Sequence, residues 1–324
     1  MSATMQAVLC HRYGPPEELV VGEAPMPVPG ERQVLVRVHA TAVNDYDWSL
    51  VRGKPAIYRL MFGLTRPKRS IPGMELAGVV EAVGPNTSKF RVGDRVYGDI
   101  SEHGFGTFAE YCAVHEDGLV LLPDGLSFVS AAATPHALEL AYQALIQIAK
   151  LKDRERVLLN GAGGGVGTFC LQLAKHQGCE VWGVDTGPKL KAMQALGFDR
   201  VIDYKKTDFT RLDERFDVVV DMKTTRGPRA HARALAPGGR YVTVGGELPR
   251  LLQLLLGRLF GRKDQHILPL KPNRDLEALA PLLQRGTLKP VIDGPHPLSE
   301  TPRLIRYFGE GRHTGKVVVA VHPE

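Results

Sequence analysis

The segment from Arg156 to Gly167 constrains the fold of this 324-residue chain more than any other part of its sequence. It reads Arg-Val-Leu-Leu-Asn-Gly-Ala-Gly-Gly-Gly-Val-Gly, an apolar run that leads into a glycine-rich turn. From Val166 to His176 the apolar residues then recur at helical spacing, which predicts an amphipathic helix. A buried strand joined to a helix by such a turn favours a doubly wound α/β sheet, with parallel strands covered by helices on both faces.

The glycine turn also predicts a dinucleotide-binding site. Small residues let the backbone approach a pyrophosphate closely, and the N-terminus of the helix offers free N–H groups and partial positive charge. A second strand ends at Asp185, eighteen residues after Gly167, where the dinucleotide pattern requires an acidic residue. No Gly-Lys-Ser/Thr follows the turn, so a Walker A loop is excluded, and a flavin is disfavoured because the turn lies mid-chain. The residues expected to bind the cofactor at the turn are Ala162, Gly163, Gly164, Gly165, Val166 and Gly167.

The chain changes character near residue 127, which predicts two domains. Before this point the strands are short and separated by turns, as in a β barrel or sandwich, and a helix is expected over Asp45–Arg52 with Asn44 as its cap. After it, strands and helices alternate, with one helix expected to end at Pro237-Gly238-Gly239. The last strands are expected to rejoin the β-rich domain. We therefore assign residues 1–128 and 266–324 to a β-rich domain and residues 129–265 to a nucleotide-binding domain.

Composition argues against a membrane span or a nucleic-acid-binding protein. The most apolar run, Leu251–Leu256, is far shorter than the ~20 residues that a spanning helix needs. The stretch Leu251–Phe260 is instead expected to form a half-buried helix above the substrate pocket. The net charge of +6 arises from 41 basic and 35 acidic residues that are interleaved, which suits a small anionic ligand. The four cysteines are dispersed and the first residues lack a signal-peptide profile, so we expect buried thiols and a cytoplasmic protein.

Motifs across nearly the whole chain resemble those of one protein family. The glycine turn extends into a longer pattern with Leu158, Gln172 and Lys175. The accompanying segments include Asn44-Asp45-Tyr46-Asp47-Trp48, Ile71-Pro72-Gly73, Gly106-Thr107-Phe108-Ala109-Glu110-Tyr111, Val201-Ile202-Asp203-Tyr204 and Gly315-Lys316-Val317-Val318. Together they resemble the zinc-independent quinone oxidoreductase/zeta-crystallin family of the medium-chain dehydrogenase/reductase superfamily. The resemblance implies a GroES-like catalytic domain, a Rossmann domain, a nicotinamide cofactor in the cleft between them, and a homodimer formed through the Rossmann sheets.

The residues at the superfamily's metal positions argue against zinc. Zinc alcohol dehydrogenases of the superfamily take ligands from a Cys near the position of Asn44 and from the His of a Gly-His-Glu motif. Here those places read Asn44 and Gly73-Met74-Glu75. Because Zn²⁺ prefers thiolate, imidazole or carboxylate, we expect no zinc. The histidines show no ligand-like spacing, and His103, His115 and His136 are interpreted as surface or packing residues.

Hydride transfer without a metal favours a substrate that spreads the developing negative charge, such as a quinone or an α,β-unsaturated carbonyl. The resemblance implies that Asn44 donates a hydrogen bond near the nicotinamide ribose and the substrate. Tyr46 or water can supply the proton, with packing alone as the alternative role of Tyr46, and the resemblance implies that Asp47 orients its neighbours. The chain departs from close relatives at Ser49, where they often carry Lys, and at Leu140, where they often carry Thr.

The sequence leaves the choice between NADH and NADPH open. Asp185 suits a ribose 2′-OH and repels a 2′-phosphate, which tilts the expectation toward NADH. Lys189 can pair with a 2′-phosphate, and Tyr204 matches a family position beside the adenosine. Gly245 and Asn273 match positions that line the nicotinamide.

The expected activity is zinc-independent, NAD(P)H-dependent reduction of quinones or α,β-unsaturated carbonyls. One alternative is an alcohol or aldehyde dehydrogenase. A second is a sensor or RNA-binding protein that binds NAD(P)H with little turnover, which Ser49 and Leu140 keep open.

Overall fold

A computed structural model describes residues 3–259 and 264–322 of the chain. The strands are β1 (Thr4–Leu9), β2 (Val20–Pro25), β3 (Gln33–Ala42), β4 (Glu75–Val83), β5 (Arg95–Asp99), β6 (Tyr111–His115), β7 (Val120–Leu121), β8 (Arg156–Asn160), β9 (Glu180–Asp185), β10 (Arg200–Asp203), β11 (Phe216–Asp221), β12 (Leu235–Thr243), β13 (Gln265–Ile267), β14 (Ile292–Pro297) and β15 (Lys316–Ala320). The α-helices are α1 (Asp45–Arg52), α2 (Ile57–Phe62), α3 (Phe128–Ala132), α4 (Pro135–Tyr142), α5 (Gly165–His176), α6 (Leu190–Leu196), α7 (Pro228–Ala234), α8 (Leu248–Leu259), α9 (Leu276–Gln284) and α10 (Thr301–Gly309). A π-helical segment, Gln143–Ile148, continues α4.

The chain divides into two compact units, residues 1–136 with 272–324 and residues 137–271. These limits lie eight and six residues beyond the boundaries expected from the sequence, 128 and 265. The first difference arises because α3 belongs to the core of the first unit. Its Phe128 and Ala132 pack in one buried cluster with Tyr97 and Val318.

The first unit is built around a seven-stranded sheet in the order β14-β15-β3-β4-β5-β7, with β6 paired to β3. The long strand β3 pairs antiparallel with β4, β6 and β15, so three parts of the chain meet on one strand. Its alternating Val34, Val36 and Val38 are fully buried in the core. The C-terminal strands therefore rejoin the β-rich domain, as the sequence predicts.

The second unit contains a six-stranded parallel sheet in the order β10-β9-β8-β11-β12-β13. Counted along the chain within this unit, the strand order is 3-2-1-4-5-6, that of a Rossmann fold. The order reverses beside β8, and the glycine turn follows directly after this strand. The turn therefore lies at the topological switch point, where such sheets bind ligands.

Two local expectations were wrong. The helix expected to end at Pro237-Gly238-Gly239 ends at Ala234, and these three residues lie in β12. There Gly238 has a φ of 76° and the register with β11 shifts, so the Pro-Gly-Gly sequence forms a bulge rather than a helix end. The alanine-rich stretch Ser130–Lys150 also predicts a single helix, but the structure divides it, because α3 ends at Ala132 and Pro135, which lacks an N–H, begins α4.

The apolar stretch at 251–260 forms most of α8, and Phe260 lies outside the described residues. Leu254 is buried, whereas Leu252, Leu255 and Leu259 are exposed. Within residues 3–259 and 264–322, no helix has both the length and the apolar content needed to cross a membrane.

Candidate active site

The glycine turn after β8 has a shape that only small residues allow. Gly161 has a φ of 87°, in the left-handed region that favours glycine. A Cβ on Gly167 would lie 2.3 Å from the carbonyl oxygen and 2.5 Å from the Cα of Ala162. Gly167 therefore lets α5 begin in direct contact with the backbone of the turn.

The N-terminus of α5 offers an anion-binding surface at this turn. The helix is twelve residues long, with Gly164 as its N-cap residue. The first N–H groups of a helix have no intrahelical acceptor and carry partial positive charge. These N–H groups fit a dinucleotide pyrophosphate.

Asp185, at the end of β9, turns its carboxylate toward the glycine turn. Its Oδ2 accepts the N–H of Gly163 at 2.9 Å, and its Oδ1 accepts the N–H of Thr186 at 2.8 Å. The ammonium group of Lys189 lies 3.4 Å from Oδ1, and both side chains are buried. The carboxylate thus fixes the turn, and the lysine compensates its charge.

Two other residues expected at the cofactor, Tyr204 and Gly245, follow the carboxyl ends of β10 and β12 in the same sheet. The backbone N–H of Tyr204 donates to the carbonyl of Asp185 at 3.2 Å, and the side chain of Tyr204 is exposed. Gly245 follows β12, and a Cβ at this position would meet no atom within 4 Å. The structure therefore brings Asp185, Lys189 and Tyr204 together, and leaves open space at Gly245.

In the first unit, Asn44, Glu75 and Lys316 form a buried polar cluster. Glu75 begins β4 and is fully buried, and Lys316 begins β15 with 4% exposure. The Nζ of Lys316 lies 2.5 Å from Oε2 of Glu75 and also donates to Oδ1 of Asn44. Oε1 of Glu75 accepts the backbone N–H of His136 at 2.6 Å. The cluster therefore pairs one buried cation with one buried anion.

This cluster fixes the orientation of the Asn44 amide. Its Nδ2 donates to Oε2 of Glu75 at 2.7 Å and to the carbonyl of Ala42 at 3.2 Å. A reversed amide would place an NH₂ against the ammonium of Lys316 and an oxygen against Glu75, so the assignment follows from the partners. Both amide hydrogens lie on protein oxygens. A hydrogen bond from Asn44 to a ligand stays a prediction. It requires that Nδ2 give up its longer bond, to the carbonyl of Ala42, and donate to the ligand instead.

Asp47 lies beneath Asn44 in the first turn of α1. Its Oδ2 accepts the backbone N–H of Asn44 at 2.8 Å, and its Oδ1 accepts that of Gly73 at 3.0 Å. Burial raises the pKa of Asp47 to about 7, against the opposing effect of these two hydrogen bonds and of Lys316. Asp47 thus joins the helix start to the loop before β4, and its orienting role at a bound substrate stays a prediction.

Tyr46 is the one expected catalytic residue with a partly exposed side chain. Its ring meets that of His136 edge-on, with the ring centroids 6.4 Å apart. Burial raises the pKa of its hydroxyl, and the negative charges of Asp99, Asp45 and Glu102 raise it further. The hydroxyl is therefore held protonated at neutral pH.

Asn273 has its side-chain amide bound to the backbone of the first unit. Its Oδ1 accepts the N–H of Asp99 at 2.8 Å, and its Nδ2 donates to the carbonyls of Asp99 at 2.7 Å and Gly118 at 3.1 Å. Its contact with a nicotinamide stays a prediction.

Sequence reasoning did not single out Glu75, Lys316, Asp99 or His136 as site residues. Two of them left a signal in the sequence, since Glu75 and Lys316 are charged residues directly followed by apolar runs at the start of a strand. His136, interpreted from the sequence as a surface or packing residue, lies with its Nδ1 2.8 Å from Oδ2 of Asp99, whose carboxylate accepts the hydrogen bond.

An apolar cavity of about 260 Å³ lies in the first unit. Its apolar walls are formed by Leu50, Val51, Met61, Phe62, Ile71 and Phe105. An aromatic row connects this cavity to Tyr46. The distances between ring centroids are 6.0 Å from Tyr46 to Tyr58, 6.0 Å from Tyr58 to Phe62 and 5.5 Å from Phe62 to Phe105.

Comparison with known proteins places this arrangement in a family. Residues 30–124 match the family model described as "Alcohol dehydrogenase GroES-like domain", and residues 196–319 match "Zinc-binding dehydrogenase". The chain is 36% identical to the 2-methylene-furan-3-one reductase of Solanum lycopersicum over 308 residues, which cover 90% of this chain and 72% of that protein. The chain belongs to the medium-chain dehydrogenase/reductase superfamily.

Two further matches agree with this assignment. The NADPH-dependent alkenal/one oxidoreductase of Arabidopsis thaliana is 33% identical, with 89% of this chain and 72% of that protein covered. The solved structure of the quinone oxidoreductase from Coxiella burnetii superposes with a TM-score of 0.87 at 27% identity, covering 99% of this chain and 100% of the other. The resemblance inferred from the sequence, the GroES-like and Rossmann fold class, and the assignment as an oxidoreductase are confirmed.

The residues of this medium-chain dehydrogenase/reductase do not fit a catalytic zinc ion. Oδ1 of Asn44 accepts from the ammonium group of Lys316, and a second cation there would be repelled. Met74 is buried and offers only a thioether. In the described part of the chain, no group of three or more His, Cys, Asp or Glu is placed to hold a metal.

Proposed function

We propose that this chain is a zinc-independent NAD(P)H-dependent reductase of α,β-unsaturated carbonyls and quinones. The single observation that carries the proposal is the glycine turn at the switch point of the parallel sheet, with Gly167 in contact with the backbone of Ala162. The relatives' printed names, alkenal/one oxidoreductase and quinone oxidoreductase, support the substrate class.

The cofactor, when bound, supplies a hydride to the conjugated substrate. The chain holds the dinucleotide through the α5 N-terminus and the six turn residues from Ala162 to Gly167. In the first unit, the pair of Lys316 and Glu75 holds Asn44, and Asp47 holds the start of α1 that carries Tyr46. These fixed groups present dipoles to the substrate without reorganisation during the reaction.

We propose NADPH as the preferred cofactor. The expectation of NADH rested on repulsion between Asp185 and a 2′-phosphate. Because both carboxylate oxygens accept backbone N–H groups and Lys189 compensates the charge, this repulsion is weakened. The printed name of the NADPH-dependent relative supports the same choice.

Replacing Lys189 by methionine is expected to lower kcat/KM for NADPH by about tenfold or more, with a smaller effect for NADH, because one phosphate-pairing cation is worth about 1.4 kcal/mol or more. Steady-state kinetics with both cofactors measure the ratio. Lys191→Met, which changes an exposed lysine two residues further along α6, is the control. A wild-type preference for NADH, or equal losses for both cofactors in Lys189→Met, would contradict the proposal.

We further propose that the apolar cavity receives the hydrocarbon end of the substrate. Phe105→Asp is expected to raise KM for long-chain 2-alkenals by about tenfold, since each buried CH₂ contributes about 0.8 kcal/mol. Short-chain alkenals should be affected little, because they do not reach the cavity. Val92→Asp alters an exposed valine and serves as the control. An equal change of KM for short and long substrates would argue against this use of the cavity.

A homodimer and a cytoplasmic location belong to the same proposal. The edge strand β13 pairs with β12 on one side, and the described residues place no strand on its other side. This edge is therefore available for a second copy of the sheet. The four cysteines are unpaired and buried, which suits a reducing compartment.

A panel of quinones, enals and enones, each assayed with NADPH and NADH, tests the proposed function. We expect cofactor oxidation with conjugated acceptors and little with saturated ketones or aldehydes. Faster cofactor oxidation with saturated ketones or aldehydes than with conjugated acceptors, together with stoichiometric zinc in metal analysis, would favour an alcohol dehydrogenase.

A further inference from the structure

Asp99 and His136 form a buried pair beside the expected catalytic residues of the first unit. Nδ1 of His136 lies 2.8 Å from Oδ2 of Asp99, whose side chain is fully buried. The other carboxylate oxygen accepts the backbone N–H of Ser101 at 2.9 Å. Asp99 is therefore held from both sides, and it fixes the orientation of the imidazole.

The surroundings of His136 place it in contact with the site. Its backbone N–H donates to Glu75, which binds both Asn44 and Lys316. Its ring packs edge-on against Tyr46. Because Asp99 occupies Nδ1, Nε2 is the nitrogen that can exchange a proton with a ligand, and the side chain retains 12% exposure.

We propose that His136, oriented by Asp99, donates the proton that completes reduction of a conjugated carbonyl. This inference rests on the proposed function. Hydride from the reduced nicotinamide forms a C–H bond at the β-carbon, and the C=C electrons move to give an enolate. The enolate α-carbon then takes the Nε2 proton of the imidazolium, and the electron pair of the N–H bond stays on the ring. The cofactor is oxidised, the alkene is reduced, and solvent reprotonates the imidazole.

The carboxylates of two residues, Asp99 and Glu75, bind His136. Asp99 lies directly on Nδ1, and Glu75 binds the backbone of the same residue. Although burial acts to raise the pKa of Asp99, its hydrogen bond and charge interaction with His136, together with its bonds to Ser101, hold it below the usual value. The hydroxyl of Tyr46, whose ring packs edge-on against the imidazole, carries no charge at neutral pH.

His136→Gln is expected to lower kcat for enones by about 100-fold, since a positioned general acid typically contributes 10²–10⁴-fold. Quinones should lose less than about fivefold, because their product anion is protonated on oxygen by water. A merely structural histidine would affect both substrate classes equally.

Chemical rescue provides a second test that does not depend on one variant. Added imidazole should restore enone reduction to His136→Ala, and Asp99→Asn, which weakens the contact that orients the ring, should lower kcat for enones more than for quinones. The control is His115→Gln, since His115 lies 3.4 Å from Asp117 in a comparable but more exposed pair. NADPH binding and thermal melting verify that each variant is folded.

The outcomes separate this inference from the proposed function. Enone activity in His136→Gln equal to that of the wild type, or failure of imidazole to rescue a folded His136→Ala, overturns the role of His136 and leaves the reductase intact. A wild type that oxidises NAD(P)H with neither enones nor quinones overturns the proposed function itself.

Discussion

Replacing Lys316 by methionine is expected to lower the free energy of unfolding by about 3–5 kcal/mol, the usual consequence of breaking a buried ion pair. The side chains of Lys316 and Glu75 are 5% and 0% exposed, and their charged atoms are 2.5 Å apart. Removing the ammonium group leaves the carboxylate of Glu75 buried without a countercharge. Methionine fills a similar volume, so the loss reflects charge rather than a cavity.

Urea unfolding measures this change, and the protein provides a closely matched control. Lys175 and Asp199 are also 2.5 Å apart, but their side chains are 35% and 38% exposed. Lys175→Met should therefore cost no more than about 1 kcal/mol. Adding Glu75→Gln to Lys316→Met should recover part of the loss, because the uncompensated charge of Glu75 is then removed. Equal losses for the two lysine variants would contradict the role of the buried pair.

Replacing Gly167 by alanine is expected to weaken dinucleotide binding by about 100-fold. The added Cβ would lie 2.3 Å from the carbonyl oxygen of Ala162. This atom belongs to the backbone, so it cannot move aside as the end of a side chain can. Overpacking of this kind costs about 1–3 kcal/mol, and 2.8 kcal/mol corresponds to 100-fold in affinity. Because α5 must move away from the turn, its N-terminal N–H groups no longer converge on the pyrophosphate.

Calorimetric titration with NADPH measures this loss of affinity. Gly22→Ala is the control, since a Cβ there meets only a side-chain carbon at 3.8 Å and should leave binding unchanged. An affinity of Gly167→Ala equal to that of the wild type would show that the contact at Ala162 is not required for binding.

Local patterns were sufficient to predict the Rossmann unit and the turn. The apolar strand, the glycines and the helical spacing after them specify β8 and α5 without any distant residue. The helix from Asp45 to Arg52 was likewise predicted at its observed limits. In each case the pattern and its cap are contained within about a dozen residues.

The buried polar cluster of Asn44, Glu75 and Lys316 could not be predicted in the same way, because its members are far apart in the sequence. Asn44 and Lys316 are 272 residues apart and meet only because β15 pairs with β3. Similarly, the spacing of Asp185 and Lys189 suggests a pair, but the rotation of the carboxylate toward Gly163 depends on the shape of the turn. Such side-chain directions are set by tertiary packing, which no local pattern contains.

The proposed reaction is hydride addition to the carbon–carbon double bond of a conjugated carbonyl, with NAD(P)H held at the glycine turn. The most direct test uses NADPH deuterated at nicotinamide C4 on the transferred face, with NMR analysis of the product from an enone. A saturated ketone with deuterium on the β-carbon is the expected product. Deuterium on a carbinol carbon, in an unsaturated alcohol, would contradict it.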